Sequence, residues 1–188
     1  IGGPSVRPYM PEGVWEAVAM IGSNTRDYRR DSGESLYRRS LYTFWKRSAP
    51  PAQMDIFNAP SRETCTVRRE RTNTPLQALM TLNDEQFVEA ARRLAESVLK
   101  DQSATSPEAR LDLVSRRLMA RPLREKERAI ARNSLDSLLA YYKDHAEEAG
   151  KVITFGESKP DASLAAGELA AWTMLVNELM NLDEVLVK

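Results

Sequence analysis

The sequence predicts an all-α fold, with an irregular arginine- and aromatic-rich segment over residues 1–73 packed on a four- to five-helix bundle over residues 74–188. Three observations carry that expectation. Helix-start signals recur after residue 73, apolar residues then repeat with a 3.6-residue period, and Pro and Gly crowd the first part of the chain instead. At 188 residues, 42% hydrophobic and 29% charged, the chain suits one soluble domain with a proper core.

The first part lacks a sustained period. GGPSVRPYMPEG holds three Gly and three Pro in twelve residues and must be extended or turning. EGVWEAVAMIG allows one short helix with Val14, Trp15, Val18 and Ala19 on its apolar side. SNTRDYRRDSGES reads as a polar loop. SLYRRSLYTFWKRS fits either helix or strand, because Leu36, Tyr37, Leu41, Tyr42, Phe44 and Trp45 follow helical spacing while aromatic richness also suits a strand. Pro50-Pro51 ends it in both cases, and MDIFNAPS is a short apolar piece closed by Pro60.

From Thr74 onward the elements are helical. Thr74 caps a helix with Pro75 at its first position, where a missing N–H costs nothing, and Leu76, Leu79, Met80 and Leu82 give it an apolar side. Asn83 with Gln86 three residues on predicts the next start, followed by Phe87, Val88, Ala91, Leu94, Ala95, Val98 and Leu99. Ser106-Pro107 opens a third helix with Leu111, Val114, Leu118 and Met119 inward, ended by Pro122. The fourth carries Ala131, Leu135, Leu138, Leu139 and Tyr142 and is expected to stop near Gly150. The last uses Leu164, Ala165, Leu169, Trp172, Val176, Leu179 and Met180.

Charge is zero overall but uneven. Arg26 to Arg71 holds eleven Lys/Arg against six Asp/Glu, and Asp144 to Lys188 holds three against nine. The basic part suits an acidic partner, unless the two parts neutralise each other. The acidic C-terminal half and neutral total weigh against nucleic acid. No apolar run approaches the ~20 residues of a membrane span. The chain starts at Ile1 rather than Met and reads as a piece of a longer multi-domain polypeptide.

Few residues offer catalytic chemistry. Cys65 is the only cysteine, so no disulfide and no cysteine-based metal site can form within the chain, and no metal is expected. His145 is the only histidine and lies in the acidic run DHAEEAG, a poor setting for a Ser-His-Asp triad. The densest candidate is RETCTVRRERTNTPLQAL. There Arg62, Arg68, Arg69 and Arg71, with Thr72 and Asn73, precede a helix start whose free N–H groups attract anions. Guanidinium forks suit sulfate, carboxylate or a sugar acid. The alternative is that they bridge Glu63, Glu70 and other carboxylates and fasten the irregular segment. Trp15, Tyr42 and Trp45 are candidates for an aromatic platform under a sugar ring, with core packing as the competing fate.

Four stretches, GGPSVRPY, SLYTFWKRSAPP, FNAPSRETCTVRRERTNTPLQALMTLND and ELAAWTMLVNELMNLDE, resemble in content and order the planctomycete-specific domain of unknown function numbered fifteen-fifty-three, planctomycete-specific domain one. The resemblance implies the C-terminal part of that domain, with Met10 and Asn58 standing where Gln and Asp are expected. It further implies an exported protein, periplasmic or at the cell surface, with a cytochrome c module upstream and genes near polysaccharide-degrading functions. Any haem would be held elsewhere in such a protein, since Cys-x-x-Cys-His is absent from this sequence and no cofactor is expected in it. The resulting expectation is a non-catalytic interaction or scaffolding module. Its partners would be other domains of the parent polypeptide and acidic or sulfated polysaccharide. The alternative is an enzyme domain acting on acidic or sulfated glycans.

Overall fold

A computed structural model describes residues 2–17, 19–46 and 50–187. The chain forms two compact units, Ile1–Thr72 and Asn73–Lys188, so the boundary falls beside the change in sequence character at Thr74. Helices are the regular structure throughout, and the fold class is all-α.

In the first unit the regular elements are short. Helix α1 spans Val14–Ala17 and α2 spans Ala52–Ile56, and two 3-10 turns cover Gly33–Tyr37 and Ser40–Tyr42. Val18, expected on the apolar side of α1, lies outside the described residues. The stretch that read as helix or strand is therefore 3-10 turn running into extended chain. There Val6 bridges Thr43 in parallel, donating to the Tyr42 carbonyl (2.8 Å) and accepting from the Phe44 N–H (2.8 Å). Val6, Tyr9, Trp15 and Leu36 form its buried apolar centre.

Cations resting on aromatic rings replace much of the missing regular structure. Arg7 lies 4.6 Å from the Phe44 ring centre, Arg30 4.8 Å from Tyr9, Arg38 3.8 Å from Tyr42, Lys46 4.4 Å from Trp15 and Arg62 4.4 Å from Trp45. Such stacks contribute about 0.5–2 kcal/mol each, more where water is excluded. Among the described residues the buried Lys46 ammonium has no hydrogen-bond acceptor, and the Trp15 ring lies beneath it.

The second unit holds α3 (Pro75–Asn83), α4 (Glu85–Leu99), α5 (Pro107–Met119), α6 (Glu125–Asp144), α7 (Ala146–Ile153), α8 (Ala166–Met180) and the single turn α9 (Asp183–Leu186). Thr74 closes a full capping box: its hydroxyl oxygen accepts from the Gln77 N–H (3.3 Å), and its own N–H donates to Gln77 Oε1 (3.1 Å). Ser106 caps α5 as expected. Two expected boundaries are corrected. Asp84, not Asn83, caps α4 by accepting from the Gln86 N–H (2.9 Å), and Asn83 instead completes α3 by donating to the Leu79 carbonyl (2.8 Å). The expected stop near Gly150 comes earlier, where His145 leaves helical angles at φ −122°, ψ 60°; Gly150 sits inside α7.

Helix α8 is the hub, packed against α4, α6 and α7. The sequence placed Leu164 and Ala165 in this helix, but it starts after them, and Leu169, Ala170, Ala171, Trp172, Leu175, Val176 and Leu179 are buried around its whole circumference. Only Glu168 and Glu178 are charged along it, which suits a helix enclosed by others.

Candidate functional site

The basic stretch is organised as a loop with a closed stem. Asn58 Nδ2 donates to Thr72 Oγ1 (2.5 Å), bringing together the ends of a segment fourteen residues apart in sequence. The length of the segment and the closeness of its ends are those of a surface Ω-loop, but its own side chains do not fill it. Asn58 itself adopts φ 53°, a left-handed conformation that asparagine tolerates better than most residues. Between the ends, every residue from Pro60 to Arg71 is exposed.

Within the loop the four arginines differ. Arg62 adopts φ 66° and rests on the half-buried Trp45 ring. Arg68, Arg69 and Arg71 project into solvent, and no ion pair joins them to Glu63, Glu70 or any other carboxylate of the described residues. Val67 and Cys65 are exposed beside them. The bridging of these arginines to Glu63 and Glu70, considered from sequence, is not the arrangement adopted. Arginines of the helical unit behave differently. Arg110 holds Glu168 (3.0 Å), Arg128 holds Asp112 (2.9 Å), Arg132 holds Glu108 (2.5 Å), and Arg121 holds both Glu127 (2.8 Å) and Glu184 (2.6 Å).

The remaining sequence candidates are separated from this cluster. Thr72 belongs to the stem, whereas Asn73 opens the second unit and donates to Asp183 Oδ1 (3.0 Å). The start of α3 does not offer all its donors to an anion, since its capping box already uses the N–H groups of Thr74 and Gln77. Trp15 is corrected as a platform residue. It is only 2% exposed, donates its indole N–H to the Thr25 carbonyl (3.0 Å), and packs on Tyr28 and Phe44. Tyr42 lies under Arg38 and accepts the Gly2 N–H at its hydroxyl (2.8 Å). Of the three aromatics, Trp45 alone meets the basic loop, through Arg62.

Sequence reasoning passed over a buried ionic cluster on α4. Arg92 is fully buried and donates to Glu96 Oε1 (2.7 Å) and to the Ser158 carbonyl (2.6 Å) and Oγ (2.7 Å). Glu89 accepts the Ser158 N–H (2.7 Å) and hydroxyl, and Glu96 accepts the Asp161 N–H (3.1 Å). These contacts strap residues 157–161 onto α4. The i, i+3, i+7 spacing of Glu89, Arg92 and Glu96 was the available signal, but it reads equally as a solvated face. Among the described residues no group of three or more His, Cys, Asp or Glu side chains is placed to hold a metal, and no helix is long and apolar enough to cross a membrane.

Residues 1–135 match the family described as PSD1: Protein of unknown function (DUF1553). The chain belongs to that family. The match contains the whole basic loop and its Trp45 support, and stops within α6. No curated protein and no solved structure matches the chain.

Proposed function

We propose that this PSD1 chain is a non-catalytic interaction module that captures an acidic polysaccharide through the loop between Asn58 and Thr72. The observation that carries this reading is the set Arg68, Arg69 and Arg71, exposed on a loop whose ends are joined and, among the described residues, without ion-pair partners. Guanidinium groups left unpaired are available as bidentate donors to sulfate esters or uronic carboxylates. A closed stem reduces the conformational freedom lost when a ligand orders the loop. The resemblance noted from sequence adds the setting: an exported, cytochrome c-associated protein in which this module serves polysaccharide capture beside other domains of the same polypeptide.

The test is calorimetric titration with a sulfated galactan oligosaccharide, an oligogalacturonate and a neutral galactan oligosaccharide. The acidic probes should bind saturably, the neutral one should not, and added salt should weaken binding as expected for exposed charges. Arg68→Ala with Arg69→Ala should lower affinity by about 10- to 100-fold, corresponding to two charge-assisted contacts of about 1 kcal/mol each or somewhat more. Equal binding of neutral and acidic probes, or affinity unmoved by the double substitution, would refute the reading.

A further inference from the structure

Resting on that reading, we infer that Arg62 and Trp45 form a subsite for a single acidic sugar residue, with the guanidinium, held on the indole face, taking its sulfate or carboxylate. Arg62 is exposed, and among the described residues its only partner is the Trp45 ring, at 4.4 Å. A guanidinium resting on an aromatic face retains its in-plane N–H donors, which match two oxygens of one planar or tetrahedral anion. The ring also holds the side chain in place before a ligand arrives, so less rotamer freedom is lost on binding.

The backbone at this position is also unusual. Arg62 occupies φ 66°, where a non-glycine residue costs about 1–2 kcal/mol. From this backbone the Arg62 side chain rests on the Trp45 ring. Arg68, Arg69 and Arg71 have no comparable support, and their exposed forks suit the neighbouring charges of a longer anionic chain. The loop therefore divides its work: one oriented pair recognises a sugar acid, and three exposed cations add charge-dependent affinity.

Fluorescence separates the two roles. Of the three tryptophans, Trp15 and Trp172 are 2% and 1% exposed, so quenching by acrylamide reports mainly on the half-buried Trp45. Saturating sulfated galactan oligosaccharide should protect the accessible fluorescence of the wild-type chain, whereas inorganic sulfate and the neutral oligosaccharide should not. Arg62→Ala and Trp45→Ala should each weaken binding by roughly 5- to 30-fold. Trp45→Phe should restore most of the affinity, because a ring still supports the guanidinium. Circular dichroism and the melting temperature would identify a variant that merely unfolds, and the protection measurement on wild type needs no variant.

If Arg68→Ala with Arg69→Ala removes binding while Arg62→Ala binds like wild type and Trp45 stays unprotected, this inference fails and the capture reading survives. If the acidic oligosaccharides do not bind the wild-type chain, both fail.

Discussion

Ala120 ends α5 at φ 61°, ψ 17°, a left-handed conformation in which a Cβ is crowded by the following carbonyl. Glycine has no such penalty but gains freedom in the unfolded chain, so Ala120→Gly should stabilise the helical unit by about 0.5–1 kcal/mol in urea unfolding. Gly156 is the opposite case. At φ 99°, an added Cβ would lie 2.7 Å from the Glu89 carboxyl carbon and 2.9 Å from its Cβ. Glu89 cannot retreat without giving up the Ser158 contacts that hold the strap. Gly156→Ala should therefore cost about 2 kcal/mol or more and speed amide hydrogen exchange at residues 157–161. These two positions mark the limit of what was legible residue by residue. Thr74-Pro75 and Ser106-Pro107 were readable because a cap and its proline act within four residues. Gly150 was misread because glycine permits a helix stop without requiring one. Ala120 gave no signal at all, since its conformation is imposed by the chain on either side.

Elements of the helical unit were legible wherever apolar spacing decides burial, as in α4, where Ala91, Ala95, Val98 and Leu99 are buried as the period requires. The first unit resisted the same treatment because its stabilising pairs are non-local. Nothing periodic links Arg62 to Trp45 or Arg30 to Tyr9, and only the folded chain reveals that these aromatics take cations rather than one another. Between elements, Arg121 clips the first turn of α6 to α9 by holding Glu127 and Glu184 together. Hydrogen bonds from the Arg121 side chain, and then from the Arg124 N–H, lower the Glu127 carboxyl from its ordinary 4.5 to about 2; Arg121 lowers Glu184 as well. A carboxylate depressed in the folded state contributes stability above its unfolded pKa and loses it as pH falls towards the folded value. The melting temperature of Arg121→Ala should thus lie below wild type at pH 6, with the gap narrowing from about pH 4.5 and closing near pH 2. A gap that stays constant over this range would show that Arg121 acts by packing alone.

At the scale of the whole molecule, the family match and the folding unit do not end together. The match stops at residue 135, while the hub helix α8 begins at Ala166. Without α8, the core formed by Ala91, Ala95, Val98, Leu111, Val114 and Leu135 loses Leu169, Trp172, Leu175, Val176 and Leu179 from its centre. Each such side chain contributes about 1.5–3 kcal/mol on burial, so the loss is on the order of 10 kcal/mol. A domain's entire net stability is about 5–15 kcal/mol, which leaves little or nothing to hold the remaining helices in register. A chain ending at residue 135 should therefore show helical circular dichroism without a cooperative thermal transition, and should bind a hydrophobic dye such as ANS. The 188-residue chain should melt sharply and leave the dye unbound. A sharp two-state transition from the shortened chain would mean that α3 to α5 and the first half of α6 complete a core without the hub. The acidic-oligosaccharide titration applied to the same shortened chain adds a second readout. The loop, its stem and Trp45 all lie in the first unit, so binding retained after the helical core has melted would place recognition in residues 2–72 alone.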